Sequence, residues 1–469
     1  MDDFRLEKDS LGEVRVPADA LYGAQTQRAV ENFPVSGEPM PAEFLHALGL
    51  VKQVAARVNA ELGLLDPAVA AAIETAADEV AAGRWDGEFP VDVFQTGSGT
   101  STNMNANEVI ARRAGQLLGR PVHPNDQVNL GQSSNDAIPA ALHVAAVLGI
   151  ERELVPALER LRDVLAAKAR DWDHVVKTAR THLMDATPIR LGQEFSGYAA
   201  QVEHGVARLR AVLPDLRELA LGGTAVGTGL NTHPEFGART AAGLSRAAGT
   251  QFREAANHFE AQGAQDAAAW ASGALNTVAA SLMKIANDVR LMNSGPRCGL
   301  AELSLPALQP GSSIMPGKVN PVICEAVIQA GAQVMGDHVA VTVGAQWGQL
   351  ELNTMLPLIA RNLLESVRLL AGAARLLADK AIAGLEADEE TCRGYVEISP
   401  AMATALSPLV GYDRAAEIAK RAFRERRPVR EVAREMTDLT PEQIERALDP
   451  RRQTEPGLEP GSPPEGAGG

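Results

Sequence analysis

The sequence is poor in cysteine and in aromatic residues, and both shortages restrict the class of protein. Its three cysteines in 469 residues are widely separated, so neither a disulfide framework nor an iron–sulfur cluster with closely spaced ligands is indicated. Aromatic residues make up 4% of the chain, although hydrophobic residues make up 45%. We therefore expect reduced thiols and a large core of small aliphatic side chains, which suits closely packed helices.

Positive charge is also in short supply. The formal net charge is -15, and no basic run is present, which argues against a nucleic-acid partner. The first residues are acidic where a signal peptide would be basic, and the nearest candidate for a membrane span, 267–283, contains serine, threonine and asparagine. The sequence predicts a cytoplasmic protein with no membrane partner. Because the net charge is negative, an anionic substrate would have to be attracted by positive groups within the site itself.

Helical signals dominate the chain, and the predicted fold class is all-α. Moderate helices are predicted over 42–63, 67–82 and 105–118, and five longer helices are predicted to start at Asn135, Ile189, Glu260, Val322 and Pro357. We expect an N-terminal, mostly helical domain over 1–134, a long central five-helix bundle over 135–387, a small C-terminal helical domain over 388–449 and a disordered tail over 450–469.

The clearest periodicity lies in the third long helix, where apolar residues recur alternately every three and four positions: Ala268, Ala271, Leu275, Val278, Leu282, Ile285, Val289 and Met292. This spacing is a heptad seam. A helix of about 30 residues spans roughly 45 Å, which is more than a compact domain of this size needs. We expect other copies of the chain to cover the remaining faces.

The segment with the most chemically capable groups is GSSIMPGKVNP, residues 311–321. Its glycines and prolines predict a loop that closes reproducibly, and Asn320 before a proline is typical of a helix start. Ser312 and Ser313 supply hydroxyls, and Lys318 supplies a cation beside the free N–H groups of that helix. The pattern predicts an anion site.

Three further polar segments, TGSGT, QSSND and RTHL, precede predicted helices. Taken singly, each is more often a helix cap than a site. Together with Lys318, their number favours a carboxylate-binding pocket lined by hydroxyls, amides and helix N-termini. Glu325 is an acid in an otherwise apolar helix and needs a partner, for which His182 is a candidate. His182 has no companion at metal-ligand spacing, so neither a metal nor a cofactor is expected.

The chain resembles class II fumarate hydratase, a family in the fumarase/aspartase superfamily, in its motifs and in their order. Besides GSSIMPGKVNP and QSSND, the motifs that carry this resemblance are TGSGTSTNMN, RTHLMDATP and GGTAVGTGLNTHP. The resemblance covers about residues 4–449. It implies a fumarase/aspartase-like fold and a homotetramer whose active sites are shared between subunits. It also implies reversible hydration of fumarate to L-malate by anti addition of water, a step of the tricarboxylic acid cycle.

The resemblance implies roles for the matching positions. Ser312, on a mobile loop, would remove the C3 proton of malate, and His182, paired with Glu325, would handle the water. The residues that would hold the substrate are Ser98, Gly99, Thr100, Ser133, Ser134, Asn135, Thr181, Ser313, Lys318, Val319 and Asn320. A second dicarboxylate site outside the catalytic pocket would comprise His123, Pro124, Asn125 and Asp126.

Two other functions stay open. An aspartate ammonia-lyase would use ammonia in place of water, but such enzymes typically have alanine where Gly317 stands. A structural protein could keep the scaffold alone, as lens crystallins related to argininosuccinate lyase do, although every assigned catalytic residue is present here. The chain departs from the family pattern at Met184 and Gly131, where glutamine and serine are common, and neither position carries an assigned role.

Overall fold

A computed structural model of the chain describes residues 4–457, so the predicted disordered tail lies outside the described residues from 458 onward. The fold is all-α, as predicted. The α-helices are α1 (Ala24–Asn32), α2 (Ala42–Glu61), α3 (Pro67–Ala81), α4 (Thr100–Leu118), α5 (Ser134–Gly149), α6 (Val155–Asp171), α7 (Leu191–Leu216), α8 (Phe236–Ala248), α9 (His258–Gly263), α10 (Asp266–Met292), α11 (Val322–Ala345), α12 (Leu356–Leu376), α13 (Glu389–Ile398), α14 (Ser407–Val410), α15 (Tyr412–Glu425), α16 (Val429–Met436) and α17 (Pro441–Ala447).

The strands are short and occur in pairs, which the helical prediction did not include. They are β1 (Phe4–Asp9), β2 (Gly12–Pro17), β3 (Val176–Thr181), β4 (Met184–Arg190), β5 (Glu218–Leu219), β6 (Arg253–Glu254), β7 (Leu303–Ser304), β8 (Gly348–Gln349), β9 (Leu352–Asn353) and β10 (Glu386–Ala387). The pairs β1–β2, β3–β4, β7–β10 and β8–β9 are antiparallel, and β5–β6 is parallel.

The described residues pack into two units. Unit 1 comprises the chain up to Ala157, Gly205–Ala280 and Gln329–Ala373, and unit 2 comprises Leu158–His204, Ser281–Ile328 and the chain from Ala374 onward. The long helices α6, α7, α10, α11 and α12 each contribute residues to both units. The division into domains at residues 134, 387 and 449 stays a prediction.

The predicted long helices are present, with different starts. The stretch from Asn135 is helical from the first residue of α5 to the end of α6, with a π-helical turn, Ile150–Leu154, between them. The start at Ile189 was wrong, because that residue lies in β4 and α7 begins at Leu191. The start at Glu260 was also wrong, because α9 ends at Gly263 and α10 begins at Asp266.

The heptad seam of α10 is confirmed as a buried stripe. All eight of its residues, from Ala268 to Met292, are at most 4% exposed. In unit 1, α2 packs against α3, α5 and α8 through residues such as Phe44, Leu48 and Val51. In unit 2, residues 396–448 of the C-terminal helices form a hydrophobic cluster of their own.

None of the described helices combines the length and the apolar composition needed to cross a membrane.

Candidate active site

In unit 1, the starts of α4 and α5 lie beside each other. Helix α4 begins at Thr100, five residues earlier than predicted, and the Thr100 hydroxyl lies 2.7 Å from Ser98 Oγ. Ser133 caps α5, and the Asn103 side-chain amide of α4 donates to Ser134 Oγ at 3.1 Å. The structure thus brings together the predicted groups of TGSGT and QSSND.

Gly99 allows this close approach. Its φ of +71° is a left-handed conformation that favours glycine, and a Cβ atom there would lie 2.9 Å from Cγ2 of Ile138 in α5. A side chain at position 99 would therefore force Ile138 to shift and would be strained at this φ value.

The turn that leads into α5 is held from several sides. The buried Asp136 carboxylate accepts hydrogen bonds from the backbone amides of Ser133, Thr224 and Gly222. Burial raises the pKa of Asp136 to about 6, although these amides act to lower it. The Asn135 side chain donates to the carbonyl of Ala225 at 2.8 Å. The turn is therefore fixed before any ligand binds.

The departure at Gly131 has a structural reason. Its φ is +70°, and a Cβ atom would lie 2.8 Å from Thr232 Oγ1, so a serine would be strained here. Met184, the other departure, is exposed.

Lys52 of α2 lies beneath the same turn and was not predicted from the sequence. Its ammonium donates to Asn129 Oδ1 at 2.9 Å and to Gln132 Oε1 at 3.0 Å. Burial lowers its pKa to about 7, although the Asp136 carboxylate acts to raise it. The available signal was a lone lysine on an otherwise apolar face of α2, beside Leu48 and Val51.

In unit 2, His182 lies at the tip of a β-hairpin, whereas RTHL was predicted only as a polar segment before a helix. Thr181 pairs with Met184 across a two-residue turn, in which His182 and Leu183 have φ values of 57° and 63°. Two positive φ values are typical of a type I′ hairpin turn. His182 and Thr181 are exposed in the single chain.

The hairpin is anchored by a buried charge cluster that was also not predicted from the sequence. Glu302 is 0% exposed; its Oε1 accepts a hydrogen bond from Arg180 at 2.7 Å, and its Oε2 lies 2.9 Å from the Lys177 ammonium. Lys177 also contacts Glu194 at 3.0 Å. Burial alone would lower the pKa of Lys177, but the two carboxylates outweigh it and raise the pKa.

The loop 311–320 is closed at its base. The amide of Gly311 donates to the carbonyl of Lys318 at 2.8 Å, and the Asn320 side chain donates to the carbonyl of Gly311 at 2.7 Å. Helix α11 begins at Val322, and the Asn320 side chain holds the base of the loop through its hydrogen bond to Gly311. Ser313, Lys318 and Val319 are exposed.

Ser312 lies within this loop and has two backbone partners. Its Oγ accepts hydrogen bonds from the amides of Ile314 at 3.2 Å and Met315 at 3.0 Å. A hydroxyl oxygen that accepts two N–H groups is stabilised as it gains negative charge.

Glu325 lies in the first turn of α11 and is half-buried. Within residues 4–457 of this single chain, it forms no hydrogen bond or ion pair with His182. The predicted pairing of the two residues therefore stays a prediction.

The HPND segment forms a π-helical turn, Pro124–Val128, in unit 1. His123 Nδ1 accepts the amides of Asn125 at 3.3 Å and Asp126 at 3.0 Å. His123, Pro124 and Asn125 line a cavity of about 850 Å³ that Arg112 and Arg120 also line.

No group of three or more histidine, cysteine, aspartate or glutamate side chains among residues 4–457 has the arrangement of a metal site.

Comparison with known proteins gives a consistent family. The chain matches the lyase family over residues 12–336 and the fumarase C C-terminus over residues 402–455. It is 56% identical to a class II fumarate hydratase of Xylella fastidiosa over 97% of both chains, and 57% identical to one of Halobacterium salinarum over 97% of this chain and 98% of the other. A solved class II fumarase from Schistosoma mansoni superimposes with a TM-score of 0.94 at 40% identity, over 96% of this chain and 99% of the other.

Proposed function

Because the chain belongs to the class II fumarate hydratases, we propose that Ser312 and His182 are the proton-transfer groups of its active site. The chain catalyses the reversible hydration of fumarate to malate. In our assignment water adds in the anti sense to give L-malate. Ser312 exchanges the C3 proton, and His182, oriented by Glu325, activates the water or protonates the leaving hydroxyl.

The observation that supports a dicarboxylate substrate is the pair of helix N-termini in unit 1. Helix N-termini attract anions, and the adjoining starts of α4 and α5 carry the hydroxyls of Thr100 and Ser133 and the amide of Asn135. Fumarate and malate each present carboxylates of the size and charge that such a site binds. We assign Ser98, Gly99 and Ser134 to the same carboxylate subsite.

The reaction needs further positive charge. Removing the C3 proton of malate puts additional negative charge on the neighbouring carboxylate, and each donor aimed at it can lower the barrier by about 3 kcal/mol. We assign this role to Lys318 and to the N–H groups near the start of α11, with Ser313, Val319, Asn320 and Thr181 completing the pocket.

A serine hydroxyl is a weak base unless its alkoxide is stabilised. The amide donors of Ile314 and Met315 point to such stabilisation at Ser312 Oγ, and the Lys318 cation would add to it. A carboxylate beside His182 would fix the imidazole orientation and favour its protonated form, which suits proton transfer near neutral pH.

We propose a homotetramer in which different copies complete each site. The side chains next to the proposed catalytic groups are apolar and exposed in the single chain: Leu183 at 75%, Met184 at 70% and Ile314 at 84%. Exposed apolar groups of this kind favour association. Another copy of the chain would cover them and would bring a Glu325 to His182.

Two further assignments belong to this proposal. The cavity beside His123 and Asn125, with Asp126 at the same turn, is assigned as a second dicarboxylate site, supported by Arg112 and Arg120 on its wall. The cytoplasm is assigned as the location, in keeping with three free cysteines.

The test is formation of fumarate from L-malate, followed by the ultraviolet absorbance of the conjugated double bond, with and without a chelator. We expect turnover that survives chelation and is lost in His182→Asn. His174→Asn is the matched control, because His174 is an exposed histidine paired with Glu389 just before β3. A signal from aspartate but not from malate would contradict the proposal and assign the chain to the ammonia-lyases.

A further inference from the structure

We propose that Lys52 is a positioning residue for the carboxylate-binding turn 129–136, acting through Asn129 and Gln132 and placing a positive charge beneath the start of α5. This inference rests on the proposed function, because it requires the turn to bind a substrate carboxylate.

The hydrogen-bond network links Lys52 to both helix starts. Asn129 Oδ1 accepts from the Lys52 ammonium and from the side-chain amides of Asn103 and Asn107, both of α4, at 3.2 Å each. Asn103 is also the residue that donates to Ser134 Oγ. A change at Lys52 should therefore affect α4, through Asn103 and Asn107, and the QSSND segment, through Ser134.

An uncharged hydrogen-bond donor in place of the Lys52 ammonium would be enough to hold Asn129 and Gln132 in this turn. Lys52 is 0% exposed, and burying an ammonium costs far more than burying an amide that makes the same two hydrogen bonds. Asp136, the charged group of the described chain that acts on Lys52, already accepts three backbone amides. The hydrogen bonds of the turn do not require the positive charge of Lys52. That charge can therefore stabilise an anion bound at the start of α5.

This role makes a pH-dependent prediction. With a pKa of about 7, Lys52 loses its proton in the neutral range, whereas an ordinary lysine keeps it to about pH 10. Among the described residues of the helices packed on α2, Asp136 of α5 supplies the opposing charge, and it is ionised above its pKa of about 6. Anion binding should therefore be strong below pH 7 and weaken as the pH rises through that value.

The probe is succinate, an unreactive dicarboxylate, with binding measured by calorimetry from about pH 6 to pH 9. The parent protein is His182→Asn, which removes the titration of that imidazole. We expect its affinity to fall as the pH rises through about 7. Adding Lys52→Met should weaken binding about tenfold at the acidic end and flatten the pH dependence. Lys168→Met removes a half-buried ammonium that is bonded to the Leu385 carbonyl. This control should change neither the affinity for succinate nor its pH dependence.

A second variant keeps the lysine. Asn129→Asp places a carboxylate against the ammonium, which raises the pKa of Lys52, so the inflection should move to higher pH even if Lys52→Met does not fold. An inflection unchanged by Asn129→Asp, or unchanged affinity after Lys52→Met, would overturn the inference. Wild-type protein that neither hydrates fumarate nor binds succinate would instead overturn the proposed function.

Discussion

The Ser312 hydroxyl accepts two backbone amides, and this geometry is the basis for a test at the residue scale. Ser312→Ala should lower kcat by about 10²–10⁴-fold, since general acid–base groups contribute on that order, and should leave KM nearly unchanged. Steady-state kinetics in both directions measure the effect. Ser196→Ala is the control, because Ser196 is an exposed serine bonded within its own helix. A variant that loses affinity but keeps kcat would show that Ser312 binds substrate without transferring a proton.

Residues differ in how far their roles could be predicted from sequence. Ser312 could be found because its chemistry and its glycine- and proline-rich loop are visible in adjacent letters. Glu302 could not, because its partner Arg180 lies 122 positions away and the burial of a charge leaves no local pattern. Lys52 left one local signal, a lysine on an apolar helix face, but its partner Gln132 is 80 positions distant, so its role could not be predicted.

The β3–β4 hairpin is the element that carries His182, and no strands were predicted there. Two-residue hairpin turns usually contain glycine or asparagine, which tolerate positive φ, whereas here the turn is His182-Leu183. Left-handed conformations cost non-glycine residues roughly 1–2 kcal/mol each. Such strain is often retained at functional sites, which is consistent with the role proposed for His182.

Glu302 should hold this hairpin in place. Glu302→Gln leaves Lys177 and Arg180 buried without their shared counter-charge, and we expect a loss of about 3–5 kcal/mol in the free energy of unfolding, together with a lower kcat. Chemical denaturation and steady-state kinetics measure the two effects.

Glu194→Gln is the matched control for Glu302→Gln. The Glu194 side chain is 26% exposed and contacts Lys177 alone in this cluster, and Lys177 keeps its contact with Glu302 in this variant, so the loss of Glu194 should cost less than the loss of Glu302. A control variant as unstable as Glu302→Gln would contradict the importance assigned to the buried carboxylate. Since the pKa of Lys177 is raised, its ammonium should stay charged across neutral pH, and on the alkaline side the ion-pair contribution should be lost only above about pH 10.

At the scale of the whole molecule, the five long helices were predicted because apolar periodicity is a local signal. Helix α11 is apolar on nearly every side, which predicted burial all round. In the single chain Val327, Val334 and Val341 are buried, whereas Val339 is 61% exposed. The sequence thus indicates that a further surface must cover α11, but a single chain cannot supply that surface.

Val339→Asp should break the proposed tetramer. A carboxylate introduced into an apolar interface remains unpaired and is costly to bury, so the tetramer should dissociate and activity should fall with it. Analytical ultracentrifugation would measure the change from four copies of the 49.5 kDa chain to smaller species. Val35→Asp is the control, at a residue 67% exposed between α1 and α2. A wild-type monomer with full activity would contradict the proposed assembly.

Mixing two inactive variants tests whether the sites are shared between copies. Ser312→Ala and His182→Asn should each be inactive alone. If a site takes His182 from one copy and Ser312 from another, randomly mixed tetramers should regain activity at about a quarter of their sites, because each site needs the intact residue from both donors. Co-expression with two affinity tags isolates the mixed tetramers. Mixed tetramers that stay inactive would mean that both residues of a site come from the same copy, and the exposed hairpin tip at Leu183 would then need another explanation.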